Sequence, residues 1–462
     1  MDKTKTAGLV LGIIGFSIPL IVQFPGLSLA GHLAMSIFIL AAVFWMFETI
    51  PIYSTSILVI FLEVILLSAE GFINFSGVEY SPVPYQIFIA TLADPIIILF
   101  LGGFVLADAA VKYNFDKNMT RILLKPFGQE PKYIILGLMA VTAVLSAFMS
   151  NTATTAMMIT VIIPILAKTE MTDPARISIA LSIPFAANIG GVATPIGTPP
   201  NAVVIAALNQ QGLNIEFGNW MLYATPLAVV MLIFAWFLLL KLHPPATAAI
   251  PLDLKGEWTK SRKAYTLYAV FGLTVILWIT ESLHGIRSSI VALLPVAVLT
   301  LTNTFEKEDI RKLPWEVLWL IAGGISLGIA MKETGLADWL VGSIGWDQMS
   351  YMVLLSVFGI VAILLSNFLS NTVTASLMIP LGISLATSGV VGGPAGMMII
   401  GLVIALSTSF AMVLPISTPP NAIAVSTGVV KTKDMIVAGT IIGLVAMGLI
   451  ILMTRFYWHY IL

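Results

Sequence analysis

Two short polar phrases occur twice in this chain at one fixed separation, and that recurrence restricts the fold more than any other feature. Ser150-Asn151-Thr152 returns as Ser370-Asn371-Thr372, and Thr198-Pro199-Pro200-Asn201 returns as Thr418-Pro419-Pro420-Asn421. Each copy lies 220 residues from its partner, and in both halves the asparagines of the two phrases are 50 residues apart. A repeat at constant offset means that one structural unit has been used twice. The second copy sits in a stretch, Gln348 to Val430, that contains no Asp, Glu, Lys, Arg or His.

Uncharged breaks in such apolar surroundings point to a membrane. Of 462 residues, 58% are hydrophobic and 10% charged, against about 25% charged in an ordinary soluble protein. Apolar runs of about 20 residues, the length of a transmembrane helix, recur from end to end. The predicted fold class is an all-α polytopic membrane protein. It has about eleven transmembrane helices plus two re-entrant hairpins in an inverted-topology repeat. A net charge of −1 speaks against nucleic acid, which needs a basic face. With no cysteine there is no disulfide framework and no thiolate chemistry.

The first apolar run, Ala7 to Phe24, follows the start Met1-Asp2-Lys3-Thr4-Lys5, and Ser28-Leu29-Ala30 after it resembles a signal-peptidase site. It is read as a first transmembrane helix within 1–30, because it is as long as a span and another follows at once. Further spans read as 31–48, 54–68, 86–111, 177–208, 219–241, 265–283, 288–304, 315–332, 396–426 and 435–456. The stretches 133–167 and 350–387 are too long for one span and too short for two, and each has its Ser-Asn-Thr at the middle. Both are read as re-entrant hairpins with a polar tip at mid-membrane depth, which is allowed where protein or a water-filled cavity covers the backbone.

Lys and Arg in short loops set the orientation. Lys112, Lys117, Arg121, Lys125 and Lys132 precede the first hairpin, and Lys168 and Arg176 follow it. Lys255, Lys260, Arg262 and Lys263 lie in 242–264, Lys307, Arg311 and Lys312 in a later loop, and Lys431 and Lys433 near the end. Acidic residues mark the other loops: Glu70 and Glu79, Glu216, then Glu333, Asp338 and Asp347. The consistent threading puts the N-terminus in the cytoplasm and the C-terminus outside. The first hairpin then opens to the cytoplasm and the second to the exterior, which makes the repeat an inverted one. Repeat 1 covers 31–241, a cytoplasmic linker 242–264, and repeat 2 265–462. Weaker matches are Trp45-x-x-Glu48 with Trp278-x-x-Glu281, and Gly103 and Lys112 with Gly323 and Lys332.

Each Ser-Asn-Thr is first of all a helix cap: Thr152 or Asn151 starts the half-helix Ala153–Leu166, and Asn371 or Thr372 starts Val373–Ala386. A cap buried at mid-membrane also points N–H groups and partial positive charge at whatever lies beyond it. Pro199-Pro200 and Pro419-Pro420 restart a helix interrupted near Thr194–Gly197 and Leu414–Ser417, since proline is tolerated in a first helical turn. Helix N-termini, Asn and Thr side chains and the absence of acids suit a small anion. The carbonyl-bearing ends of the broken helices suit a hard cation such as Na+.

Paired Ser-Asn-Thr tips, each followed by a Thr-Pro-Pro-Asn break, in two inverted halves resemble the divalent anion/sodium symporter family, in particular bacterial INDY-type Na+/dicarboxylate transporters. The resemblance covers nearly the whole chain. It implies a homodimer in the inner (cytoplasmic) membrane, with a scaffold of the first four and the seventh to ninth membrane helices. Both hairpins and the remaining helices would form a transport domain that moves as an elevator. It implies Na+ as coupling ion at two or more sites: one from Ser146, Ser150, Asn151 and backbone near Gly197, another from Ser366, Ser370, Asn371 and backbone near Ser417. The dicarboxylate would lie between them, held by Ser150, Asn151, Thr152, Ser370, Asn371, Thr372, Thr418 and Pro419. Gly197 pairs with Ser417, and Gly190-Gly191 has no glycine counterpart at Phe410-Ala411, so the second cation site matches less closely.

The expected function is sodium-coupled symport of a C4 dicarboxylate such as succinate. The alternative on the same fold is Na+-independent exchange, or carriage of sulfate, tartrate or citrate. An enzyme is disfavoured because the apolar cores hold no acid, base or thiol constellation. A channel is disfavoured because two hairpins closing one midplane site suit alternating access. Gly324-Ile-Ser326-Leu-Gly328 fits a hydrolase elbow but has no strand before it, so its glycines are read as helix packing, like Gly8…Gly12 and Gly439…Gly443. Glu48 and Glu281 are read as interfacial, with a proton relay as the alternative. The four histidines, His32, His243, His284 and His459, flank spans without metal-ligand spacing.

Overall fold

The computed structural model describes residues 3–71, 81–251, 258–343, 346, 349–387 and 392–462. Glu79, Lys255, Asp347 and Gln348, which entered the loop reading, lie outside the described residues. The helices of eight residues or more are α1 (Lys3–Ile21), α2 (Leu29–Met46), α3 (Ile52–Leu67), α4 (Pro95–Lys112) and α5 (Phe115–Leu124). Then come α6 (Pro131–Phe148), α7 (Asn151–Ala167), α8 (Ala175–Gly191), α9 (Pro199–Gln210) and α10 (Phe217–Leu242). The second series is α11 (Arg262–Ile279), α12 (Leu293–Leu301), α13 (Trp315–Glu333), α14 (Leu336–Ser343) and α15 (Tyr351–Ser366). It ends with α16 (Asn371–Thr387), α17 (Gly393–Ser409), α18 (Pro419–Ser426) and α19 (Thr432–Met453). This is the all-helical architecture of a polytopic membrane protein.

Among the described residues, seven helices are long and apolar enough to cross a membrane: α1, α2, Gln86–Lys112, α6, α10, α13 and Thr432–Ile461. Others expected as spans are shorter for a physical reason. Residues 177–208 and 396–426 each split into two helices, because Pro199 and Pro419 cannot continue a ladder and instead begin a new helix at its first position. The stretches 133–167 and 350–387 also split, at Met149-Ser150, where the Met149 backbone turns extended, and between Ser366 and Asn371.

Four half-helices from the two series interlock. α9 packs on α16 and α17, and α18 packs on α7 and α8, so each series covers the other's broken element. α13 runs between α3 and α16. Its glycines make that possible: a Cβ on Gly323 would lie 2.5 Å from Ser56 Cβ, and one on Gly324 2.4 Å from Ser376 Oγ. The Gly324 and Gly328 pair therefore does pack helix on helix, toward Ser376 and Pro380.

Glu48 follows α2 and is exposed. Glu281 follows the end of α11, is buried, and its carboxylate accepts from the Phe217 N–H at the start of α10. A helix N-terminus with free N–H groups holds it there. The linker joins two regions. Asp173 takes the Ala246 and Thr247 amides, Ile250 N–H donates to Gln129 O, and Lys168 Nζ to Pro251 O. At its other end Thr259 Oγ1 donates to Tyr113 O.

Candidate functional site

The four polar phrases, far apart in the chain, border one cavity of about 440 Å³. Ser150, Asn151, Thr152, Ser370, Asn371, Thr372, Thr418 and Pro419 all line it, as do Gly197 and Ser417. Ser146 and Ser366 stand one turn behind the tips on α6 and α15, fully buried. The facing wall is apolar and comes from α3, α4 and α13: Ile52, Phe100, Phe104, Val317 and Leu320, with Tyr53 and Glu316. Among the described residues, no Lys, Arg or His lines the cavity.

The caps sit earlier than expected, at the serines and not at the asparagines or threonines. Ser150 and Ser370 are the residues before α7 and α16, and Ser370 Oγ accepts from Val373 N–H at 3.2 Å. The asparagines are already helical and turn backward to the serines behind the tips. Ser146 Oγ lies 2.5 Å from Asn151 Oδ1 and 2.9 Å from Ala187 O. The amide atom of Asn151 that faces Ser146 is also 3.2 Å from Ala187 O and 3.1 Å from Gly197 O. A serine hydroxyl has one hydrogen to give. Turned over, the Asn151 amide presents its N–H₂ to Ser146 Oγ, Ala187 O and Gly197 O, which supplies the hydrogens these oxygens lack.

The second series repeats the motif with a slip. Ser366 Oγ lies 2.8 Å from Asn371 Oδ1 and 3.0 Å from Thr408 O, so again one hydrogen faces two acceptors. The offset mate of Ala187 is Ser407, yet the carbonyl used is that of Thr408. α17 ends at Ser409, whereas α8 runs on to Gly191, whose mate is Ala411. That difference is where the glycines of the first copy are not repeated. Gly191 is required: a Cβ there would lie 2.5 Å from Asn151 Oδ1.

The break loops are held from behind. Asn201 Nδ2 donates to Thr194 O at 2.8 Å and to Val192 O and Gly191 O at 3.3 Å. Trp220 Nε1 donates to Val192 O, and Thr194 Oγ1 to Ala147 O at the first tip. In the second series Ser417, expected only for its backbone, uses its hydroxyl against Asn367 O at 2.9 Å. Asn367 Oδ1 also accepts from Val413 N–H at 2.9 Å.

Two buried polar residues near this assembly were not singled out by the sequence. Asn188 on α8 lines the cavity and donates from Nδ2 to Thr418 Oγ1 at 3.1 Å. Glu63 on α3 is buried and accepts from Ser326 of α13. Neither belongs to a repeated phrase. An isolated acid inside an apolar run was the one available signal for Glu63.

Residues 42–405 match a family model described as Citrate transporter. The chain is 30% identical to a sodium-dependent dicarboxylate transporter of Staphylococcus saprophyticus, over 98% of this chain and 91% of that one. The chain belongs to the divalent anion/sodium symporter family. It is also 30% identical to the sodium-dependent high-affinity dicarboxylate transporter 3 of Caenorhabditis elegans, over 87% of this chain and 79% of that protein. A solved structure with a similar fold is the YdaH transporter of Alcanivorax borkumensis, at a TM-score of 0.55 and 12% identity, covering 81% and 88% of the two chains. As a member of this family the chain is a membrane transporter and not an enzyme.

Proposed function

We propose that this protein is a sodium-coupled symporter of C4 dicarboxylates such as succinate. What supports the reading is that all four repeated phrases border one cavity, whose described lining residues include no Lys, Arg or His to meet an anion's charge. Ser146 Oγ, Ala187 O and Gly197 O, grouped around the Asn151 amide, offer a cation a first place. Ser366, Asn371 and the Thr408 carbonyl offer a second place. The substrate lies in the cavity between them. Thr152 and Thr372, in the first turns of α7 and α16, and the N-terminal ends of α9 and α18 direct donors at its carboxylates. The names of the relatives, sodium-dependent dicarboxylate transporters, support both the sodium and the dicarboxylate.

In this reading α1 to α4 and α11 to α13 form the scaffold, and α6 to α10 with α15 to α19 form a domain that moves past it as an elevator. The apolar wall of Phe100, Phe104 and Leu320 is the fixed surface over which the site slides. The cavity borders the N-terminal end of α13, which follows the basic loop of Lys307, Arg311 and Lys312, and this supports an inward-open reading. The protein acts as a homodimer in the inner membrane, with its N-terminus cytoplasmic and its C-terminus outside. Purified protein in liposomes should take up labelled succinate only with an inward Na+ gradient. Unlabelled sulfate, tartrate and citrate added in turn would rank the competing anions. Uptake that is equal without Na+ and driven by internal succinate would replace symport with exchange.

A further inference from the structure

We infer that Asn188 is a positioning residue that turns the Thr418 hydroxyl into a fixed donor for one of the two substrate carboxylates. The inference rests on the dicarboxylate reading above. Thr418 borders the cavity and precedes α18, in the second half of the chain. Its hydroxyl oxygen receives two N–H donors, Asn188 Nδ2 at 3.1 Å and the Asn421 amide at 3.3 Å. A threonine hydroxyl accepts two hydrogen bonds and donates one. With both acceptor positions filled, the hydrogen is left for whatever occupies the cavity. A donor fixed before the anion arrives loses no orientational freedom on binding.

The first half of the chain does not reproduce this. Thr198, the mate of Thr418, makes no side-chain bond to the turn it caps. The position equivalent to Asn188 is Thr408, and its hydroxyl donates to Ala405 O of its own helix at 2.9 Å. So a residue from the first half orients a donor of the second half, and nothing comparable among the described residues does the reverse. The two carboxylates of one substrate are then held unequally. The end at Thr418 meets a preset donor, and the end at Thr198 meets a free hydroxyl. Asn188 is only 2% exposed, and α18 packs directly on α8, so the bond is sheltered from competing water.

The test is a double-mutant cycle in proteoliposomes, with the thermal melt of each purified variant as a check on folding. Asn188→Ala should raise the KM for succinate about five- to tenfold, since the orientation of a donor to an ion is lost and not the donor itself. Maximal uptake should stay within about twofold if Asn188 acts only through binding. Thr418→Val should raise KM at least as much, and adding Asn188→Ala to it should change KM no further. If Asn188→Ala does not fold, Asn188→Ser takes its place, alone and with Thr418→Val. An unchanged KM in the single variant, or additive losses in the double, overturns the inference while leaving the dicarboxylate reading intact. Failure of the unmodified protein to take up succinate overturns both.

Discussion

Asn201 and Asn421 hold the same two carbonyls of their respective break loops. Asn201 Nδ2 reaches Val192 O at 3.3 Å and Thr194 O at 2.8 Å; Asn421 Nδ2 reaches Met412 O at 3.0 Å and Leu414 O at 2.9 Å. Every one of these positions is 220 residues from its mate. Carbonyls at a helix break have lost their own partners, and in an apolar interior each must find another. The asparagine that ends each Thr-Pro-Pro-Asn phrase is therefore a brace for the broken helix, behind the cavity its neighbours line.

Replacing either brace by alanine should lower stability by about 1–3 kcal/mol, the cost of an orphaned buried polar group. Asn201→Ala should cost more than Asn421→Ala, because Asn201 also reaches Gly191 O. Thermal melts in detergent measure both. A loss confined to transport, with unchanged melting, would mean that these side chains act on substrate.

Gly191 gives a second test. A Cβ there would sit 2.5 Å from Asn151 Oδ1 and 2.9 Å from Nδ2, too close for either atom to stay. Gly191→Ala should displace the Asn151 amide and raise the Na+ midpoint of uptake at least about tenfold, the effect of about 1.4 kcal/mol. Gly272 lies in α11 with open space where its Cβ would be. Gly272→Ala should be neutral or stabilising by about 0.5–1 kcal/mol. Equal Na+ midpoints for the two variants would separate Gly191 from the cation.

The duplicated phrases were legible because hydrophobicity and duplication are linear properties of a sequence. Runs of apolar residues marked the spans, the 220-residue offset marked both tips and both breaks, and the structure gathers those phrases around one cavity. What stayed hidden depends on contact in three dimensions. Asn188 has a threonine as its mate and meets Thr418 from 230 residues away, so no repeat could flag it. Ser417 looked like an imperfect glycine, whereas its hydroxyl ties the second loop to Asn367. The caps were placed late at both tips, on the asparagine or threonine and not the serine, because a Ser-Asn-Thr triplet offers three good cap residues. Only the backward turn of Asn151 and Asn371 toward Ser146 and Ser366 decides among them.

The linker is pinned by one carboxylate, and this gives a pH dependence. Asp173 accepts from the amides of Ala175, Ala246 and Thr247 and from the Thr247 hydroxyl. Burial acts to raise its pKa, but the Thr247 hydroxyl and the three amides outweigh burial and hold the carboxyl below the ordinary range. Because the folded value is the lower one, its stabilisation is whole above the ordinary carboxylate value of about 3.9 and fades as pH falls through the lowered value. Asp173→Asn should lower stability by about 1–2 kcal/mol at pH 7. The gap between variant and parent should narrow as pH falls below the ordinary carboxylate value and through the lowered one. A gap that stays constant throughout acid titration would show that the charge is not involved.

The cysteine-free chain allows a direct test of its threading. Single cysteines at Gln129, before α6, and at Ser350, before α15, should be labelled from opposite faces of the membrane by an impermeant maleimide. Both positions are exposed. The expectation comes from the basic loops around the first hairpin and the acidic ones before the second. Labelling of both from one face would remove the inverted repeat and leave two parallel copies.

The strongest constraint on mechanism is charge. Among the described residues the cavity is lined by no Lys, Arg or His, and Glu316 at its wall is an acid. A single charged side chain at a helix centre already costs about 2.5–3.5 kcal/mol on insertion scales, so a bare dianion at mid-membrane would not bind. Helix N-termini offer about half a charge each, enough to orient carboxylates and too little to neutralise them. In the proposed reading, cations at the Ser146 and Ser366 clusters supply the rest, and linkage then requires that Na+ and the dianion tighten each other's binding. Succinate should therefore raise the melting temperature in Na+ and scarcely at all in choline. The Na+ midpoint of that stabilisation should fall as succinate is added, since each ligand stabilises by mass action on the folded state. Asn151→Ala should abolish the coupling while the protein still melts cooperatively. Equal stabilisation by succinate in choline would show the anion bound without a cation, and the sodium-coupled reading would give way to exchange.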